Sequence, residues 1–351
     1  MTGDAPAARG FSMPAEWFTH RATWIAWPHQ RADWPGKFEA IPWVYGEIVR
    51  VLSRNERVAI LVRDADLRAR ARELLKKVGV NLARVEFYRV PTDRAWTRDS
   101  GPTFVRTGAG EKLAVHWRFN GWAKYSNHKR DEKVGVEIAK ALQVALHRPF
   151  ADGNPVVMEG GAIDVDGRGT LLATEECLLG AVQARNPGLG RRATETVFAD
   201  TLGIKHVVWL GRGIAGDDTH GHVDDLARFV APGHVLLCSE KNPKDSNYRP
   251  LKENAERLQS ARDAWGRKLR VIPLPMPSPI VFDGTRVPAS YANFYIANGA
   301  VIVPTFNDPA DRAALGLLAE LFPNHEVVGI HCVDFVWGLG TLHCATQQEP
   351  A

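Results

Sequence analysis

The sequence predicts an α/β protein assembled from internal repeats, each of two strands, a helix and a further strand. Three observations predict it. Apolar runs of strand length alternate with stretches of helical apolar spacing. The alternation returns about five times, at roughly 60–70 residue intervals. No Ser/Gly-rich linker or low-complexity tract divides the 351 residues, so residues 11–351 are expected to form one domain.

The elements follow in order. Met1–Gly10 has no apolar core and reads as a short flexible leader, not a signal peptide. Ala22–Trp27 is a strand stopped by Pro28. Ile41–Asn55 carries Ile41, Val44, Tyr45, Ile48, Val51 and Leu52 at helical spacing. Val58–Val62 is a buried strand, and Asp64 or Asp66 caps a helix running to Lys77. Val85–Val90 is a strand. Strands at Thr103–Val105 and Leu113–Phe119 precede a helix over Asp131–His147. A hairpin joins Val156–Val165 to Thr170–Thr174 through Asp166-Gly167, a strong turn signal. Helix Arg191–Leu202 leads to strand His206–Leu210. Strands Leu226–Val230 and Val235–Cys238, helix Leu251–Lys268 and strand Leu269–Leu274 make the next group. Ala292–Ile296 and Val301–Pro304 form a hairpin around Asn298-Gly299. Asp308-Pro309 opens a helix to Leu321, and Glu326–Ile330 is the last strand of the series.

Composition excludes several classes. Charged residues are 24% and hydrophobic residues 45%, the balance of a water-soluble globular chain with a large core. A net charge of +4 without a Lys/Arg run sets nucleic acid aside. No apolar stretch approaches the length of a membrane helix. Cys177, Cys238, Cys332 and Cys344 form no CxxC pair, which excludes a disulfide framework and a structural zinc site. The pattern fits a reducing cytoplasm in which a thiol stays free to react.

Four segments place polar residues where strands should end. Trp96-Thr97-Arg98-Asp99-Ser100-Gly101-Pro102 sets a Trp beside a charged pair. Met158-Glu159-Gly160-Gly161 ends an apolar run on a carboxylate with free space after it. Asp217–Asp225 holds two histidines and four aspartates in nine residues. If strand Leu226–Val230 extends backward, His220, His222 and Asp224 share one face. The fourth is Gly338-Leu339-Gly340-Thr341-Leu342-His343-Cys344, whose glycines let backbone approach a ligand.

Two chemistries compete for these residues. His220, His222 and Asp224 on one face could ligate a metal and make a metal-dependent hydrolase. Alternatively Cys344 is a nucleophile activated by a histidine that a carboxylate holds. The remaining carboxylates then suit a cationic substrate, since they grip a planar guanidinium at two points. Cys, His, Glu and several Asp together suggest attack on a guanidinium carbon.

These segments resemble the agmatine deiminase / bacterial peptidyl-arginine deiminase family. The resemblance rests on Met13-Pro14-Ala15-Glu16-Trp17, Trp96–Pro102, Phe119-Asn120-Gly121-Trp122, Glu159-Gly160-Gly161 and Gly167–Leu172. It continues through Thr174-Glu175-Glu176-Cys177-Leu178, Arg185-Asn186-Pro187, Gly221-His222-Val223-Asp224, Ser290–Tyr295 and His343–Gln348, in family order over nearly the whole chain. It implies the pentein fold, a five-fold pseudosymmetric α/β propeller of ββαβ-type repeats. It implies Cys344 as nucleophile, His222 as general acid/base and Glu159 as its partner. Asp99 and Asp224 would clamp the guanidinium, Trp96 would wall the pocket, and Gly340 and Asp218 would line it. The expected partner is a small cationic guanidino substrate such as agmatine, giving N-carbamoylputrescine and ammonia on the way to putrescine. Peptidyl arginine or another guanidino compound is the alternative. Neither metal nor cofactor is implied, nor a nucleic-acid or membrane partner, and a homodimer is left open. A pentein-fold binding protein without catalysis is a third reading.

The departures from the family pattern cluster at the far end of the substrate. Asp218 stands where a glutamate is usual. Gly121-Trp122-Ala123-Lys124 replaces Ala-Trp-Gly-Gly, and the loop before Cys344 is Gly-Leu-Gly-Thr-Leu in place of Gly-Gly-Gly-Asn-Ile. The expectation from Asp218 is a contact with a distal ammonium, and so a preference for guanidines without a carboxylate.

Overall fold

Each sheet of the protein is built on one local rule: an antiparallel pair, then a helix, then a strand that returns parallel to the second. A computed structural model describes residues 5–351. Residue contacts divide them into two compact units. The first takes the described residues up to Phe18 with Asp99–Pro273, and the second takes Thr19–Arg98 with Leu274–Ala351.

Three such sheets build the first unit. Thr103–Arg106 pairs antiparallel with Lys112–Val115, which pairs parallel with Ala145–His147 after helix Val134–Leu142. Asp164–Val165 pairs antiparallel with Thr170–Thr174, which pairs parallel with His206–Leu210 after helix Arg191–Leu202. Strands Ala227–Ala231, His234–Ser239 and Arg270–Pro275 lie in that order in the third sheet, with helix Tyr248–Ser260 before the last. The core of this unit gathers apolar side chains from successive repeats, among them Phe11, Val115, Met158, Leu171, Phe198 and Trp209.

Two sheets build the second unit. Tyr295–Ala297, Ala300–Thr305 and Glu326–His331 repeat the rule around helix Ala310–Leu321. Asp308 accepts from the Ala310 N–H at 2.8 Å at the start of that helix, as the Asp-Pro signal predicts. In the other sheet, strand Gln347–Pro350 pairs antiparallel with His20–Ala26. Arg57–Val62 returns parallel after helix Ile41–Leu52, and Val85–Arg89 adds a further parallel strand. Asp64, not Asp66, caps the following helix Ala65–Lys77, accepting from Leu67 N–H at 2.8 Å.

Several boundaries differ from the sequence reading, each for a local reason. The helix expected over Asp131–His147 ends at Leu142, where Gln143 turns left-handed at φ 54° and frees Ala145–His147 for the sheet. Strand Leu113–Phe119 stops at Val115. The long strand expected over Val156–Val165 is interrupted by a 3-10 turn at Gly160–Ala162, so that two residues remain to pair. The helix expected over Leu251–Lys268 begins at Tyr248, since Pro250 is tolerated in a first turn, and ends at Ser260. Beyond it Asp263 draws the N–H groups of Trp265 and Arg267 into a turn. The expected leader is shorter than Met1–Gly10. Its first four residues lie outside the described ones, whereas Pro6–Arg9 forms a 3-10 turn and Ala5 and Pro6 are buried. Among the described residues no helix is long and apolar enough to cross a membrane.

Candidate active site

The first unit draws Asp99, Glu159, His222 and Asp224 together, all buried. His222 Nε2 lies 3.4 Å from Glu159 Oε2. Its Nδ1 lies 3.9 Å from Asp99 Oδ2 and 4.0 Å from Asp224 Oδ1. One imidazole thus faces three carboxylates. The strand extension that would align His220, His222 and Asp224 does not form. Val223–Asp225 is a 3-10 turn, and His220 takes φ 64° and stays half-buried. His222 reaches the cluster by another device. Asp217 accepts from the N–H groups of Thr219, Gly221 and His222 at 2.8, 2.7 and 3.1 Å, and so folds 217–222 into a tight loop. Gly221, at φ 97°, is pinned through its carbonyl by the Thr174 hydroxyl at 2.5 Å.

Glu159 is held in place by Arg185. The guanidinium Nε donates to both carboxylate oxygens at 3.1 and 3.3 Å, and both side chains are buried. Arg185 also donates to the carbonyls of Gln183 and Thr219. Asn186 beside it exchanges two hydrogen bonds with Val157, which fixes the strand end that carries Glu159. Asp99 accepts from Gly161 N–H at 3.0 Å and from the Trp122 indole at 2.8 Å. Gly161 is required by crowding. A Cβ there would stand 2.5 Å from His222 Nδ1 and 3.0 Å from Asp99 Oδ1.

The electrostatics separate the roles of these groups. Burial alone would push His222 down, but Asp99, Cys177 and Glu159 outweigh it and hold the imidazole well above its ordinary value. Burial works against Glu159, yet Arg185 and His222 keep its carboxyl below the usual range. Asp99 is raised, by burial first and by Asp224 and Glu159 in addition, against the pull of His222. Asp225 is raised well above its usual value by burial and by Asp224 and Asp217. At neutral pH the cluster therefore carries an imidazolium, a carboxylate locked to arginine, and further carboxyls that a second cation would stabilise.

Glu159, Cys177 and His222 offer ligand atoms within 4.8 Å of one another, and this trio could take a metal in the first unit. It fits a metal poorly, because Glu159 already serves Arg185 and a divalent ion would sit against that guanidinium.

Asp218 stands elsewhere in this unit and is engaged. It forms an ion pair with Lys124 and accepts from the Tyr125 hydroxyl at 2.6 Å.

In the second unit Cys344 is 5% exposed and sits in a loop that Asn293 organises. Asn293 Oδ1 accepts from Thr341 Oγ1 at 2.8 Å and from the N–H groups of His343 and Cys344 at 3.0 and 3.3 Å. Its Nδ2 donates to Cys344 Sγ at 3.1 Å. Arg98 N–H donates to the Cys344 carbonyl at 3.1 Å, and its side chain reaches the Gln348 amide oxygen at 2.6 Å. Leu339 turns left-handed at φ 66° to bring Gly340 in. A Cβ on Gly340 would meet Trp96 at 3.1 Å and Cys344 Sγ at 3.3 Å, so these three share one space. Trp96 is set by Trp34 and Phe335, at 5.4 and 5.9 Å between ring centroids.

Sequence reasoning did not single out Arg185, Cys177, Trp122, Asp217 or Asn293. Arg185, Cys177, Trp122 and Asn293 lie inside the stretches quoted for the resemblance, and an arginine or asparagine amid apolar residues was the available signal. Asp217 was visible as one of four aspartates, with nothing to mark it as the organiser of the loop.

With this geometry in hand, comparison with known proteins becomes informative. The family model for Porphyromonas-type peptidyl-arginine deiminase matches residues 12–350. An agmatine deiminase of Pseudomonas fluorescens is 37% identical over 99% of this chain and 97% of its own length. Among solved structures, an agmatine deiminase of Enterococcus faecalis superimposes with TM-score 0.91 at 33% identity, covering 100% of this chain and 98% of that one. A cysteine-to-serine agmatine deiminase of C. jejuni with substrate bound gives TM-score 0.85 at 28% identity, over 97% and 96% of the two chains.

Proposed function

From the premise that the chain belongs to the Porphyromonas-type peptidyl-arginine deiminase family, we propose that it is a hydrolase that deiminates a small guanidine, agmatine first among them. The products are then N-carbamoylputrescine and ammonia. The carrying observation is the buried charge of the first cluster. Asp99 and Asp224 lie about one imidazolium, and burial raises Asp99 for want of further positive charge. A guanidinium supplies that charge in the planar form two carboxylates grip.

The roles follow. Asp99 and Asp224 hold the guanidinium by its N–H groups. The Cys344 sulfur bonds to the central carbon. His222, charged before reaction, gives its proton to the departing nitrogen, the C–N bond breaks and ammonia leaves. The remaining S-alkylthiouronium is attacked by water, whose proton returns to His222, and the carbon–sulfur bond breaks to free the thiolate and a ureido product. Glu159 keeps His222 oriented and charged, and Arg185 keeps Glu159 ionised. Trp96 and Gly340 leave a narrow slot beside the sulfur. The sheet pattern supports a single pentein domain, with the five ββαβ-type sheets as repeats of one five-fold pattern.

Ammonia and ureido product are measured with agmatine and a panel of guanidines, using the wild-type protein and Cys344→Ser. Turnover should fall by roughly three orders of magnitude or more in the variant, as for loss of a nucleophile that acts with its base. Near-normal release from Cys344→Ser, or loss of activity to chelators and not to thiol alkylation, would give the metal-hydrolase reading the place instead.

A further inference from the structure

Lys124 lies where the expected recognition of the substrate's far end should occur. The segment that carries it is held in an uncommon conformation. Gly121, Trp122 and Ala123 all have left-handed φ, at 68°, 57° and 54°. Two consecutive non-glycine residues in that region cost about 1–3 kcal/mol each. The turn is kept by Asn120 Oδ1, which accepts from Ala123 N–H at 2.8 Å, and by Gly121 O, which accepts from the N–H groups of Lys124 and Tyr125 at 3.0 and 2.9 Å. A side chain on Gly121 would collide with the Tyr125 carbonyl at 2.3 Å.

The strained turn delivers three side chains to two carboxylates. Trp122 donates its indole N–H to Asp99. Its ring meets Tyr125 edge-on at 5.9 Å, and the Tyr125 hydroxyl donates to Asp218. Lys124 pairs with Asp218. Gln183 ties the arrangement by donating to the backbone carbonyls of both Trp122 and Asp218, at 3.1 and 3.2 Å. Asp218 therefore stands one aromatic layer beyond Asp99. A guanidinium gripped by Asp99 would send its chain past Trp122 toward a carboxylate already answered by a lysine.

Resting on the deiminase reading above, we propose that Lys124 is the specificity-determining residue of the far end of the pocket. Its tethered ammonium satisfies Asp218, so a distal ammonium on the substrate gains nothing there. The preferred class is then a small guanidine whose far end is neutral or carries a carboxylate, and agmatine is accepted without reward for its second charge. The earlier expectation that Asp218 selects for agmatine is replaced by this one. Asp218 is 14% exposed, so its pairing has value; Lys124 is 44% exposed, so removing it leaves a pocket and not a hole in the core.

The test compares kcat/KM for agmatine, n-butylguanidine and 4-guanidinobutanoate, which share a four-carbon reach and differ in terminal charge. In the wild-type protein agmatine should lead n-butylguanidine by no more than about threefold, the scale of a screened surface contact. Lys124→Met should raise that ratio by about tenfold or more, mainly through KM, by freeing Asp218 for a charged hydrogen bond. Lys124→Arg should restore the wild-type ratio, and Asp218→Asn added to Lys124→Met should return it too, which a merely structural role for Lys124 would not do. A wild-type preference for agmatine of about a hundredfold, or turnover with ratios unmoved by Lys124→Met, overturns this inference alone. Absence of turnover with every guanidine overturns the deiminase reading and this inference with it.

Discussion

Asn293 and Cys344 are joined side chain to side chain, the amide of one donating to the sulfur of the other at 3.1 Å. The same asparagine accepts from Thr341, His343 and Cys344 through its oxygen, so one residue sets both the loop and the sulfur it presents. Asn293→Ala should lower kcat by about tenfold to a hundredfold and stability by about 1–3 kcal/mol, since it leaves buried donors unanswered. Asn293→Asp, which keeps the acceptor but loses the donor to sulfur, should retain most of the stability and little of the rate. Steady-state kinetics beside thermal melts decide it; equal rates in wild type and Asn293→Asp would detach Asn293 from the chemistry.

Gly161→Ala should abolish turnover with a smaller effect on folding. The added methyl would stand 2.5 Å from His222 Nδ1, 3.0 Å from Asp99 and 3.1 Å from Asp224, so these side chains must move apart. Overpacking of this kind costs about 1–3 kcal/mol. Urea unfolding and ammonia release measured together check it, and a fully active variant would mean that the cluster has room to spare.

The pH dependence follows from two opposed shifts. His222 is raised, so the stability it contributes is complete below its unfolded value near 6.5 and is lost as pH rises through the folded one. Glu159 is lowered, so its contribution is present above its unfolded value near 4.5 and is lost as pH falls through the folded one. Activity that depends on an imidazolium should therefore persist through neutrality and fall on the alkaline side, above the ordinary histidine range. Glu159→Gln should move that alkaline limb of kcat/KM to lower pH. An alkaline limb at the same pH in both proteins would show that the pair does not set the charge of His222.

Arg185→Met should be among the most damaging single substitutions in the first unit. It strands a fully buried carboxylate, at a cost of about 3–5 kcal/mol. Adding Glu159→Gln should recover much of the stability but none of the activity. A destabilisation by Arg185→Met that Glu159→Gln does not relieve would place the role of Arg185 in packing instead.

The sequence made the repeat legible because hydrophobic periodicity is a local property. Helix Ile41–Leu52 and strand Arg57–Val62 are nearly where their apolar spacing puts them. The reading failed where tertiary hydrogen bonds override the pattern. The apolar run ending at Met158 looked like one long strand, but Glu159 and Gly161 leave it to serve His222 and Asp99. Alternation along His220, His222 and Asp224 was plausible until Asp217 claimed the N–H groups of the same loop. The acidic and histidine residues of the cluster were visible as types. Their partners Arg185 and Asn293 were not, because a buried polar residue is recognised by what it touches, and sequence does not print contacts. Lys124 was visible as a departure, yet its meaning lay in its pairing with Asp218.

Strand Gln347–Pro350 lies directly after the loop of Cys344 and pairs with His20–Ala26, more than 300 residues back in the chain. The edge that tethers the nucleophile loop is thus among the last residues to leave the ribosome. Pairings across such separations are slow, because the connecting chain must close before the contact repays it. A nascent or clipped chain lacking those four residues would leave Trp24 without the carboxylate its indole meets at 3.1 Å in Glu349, and Arg98 without Gln348. The fold thereby works as a proofreader of its own synthesis: a chain acquires its reactive sulfur in working form only once its far end has come home.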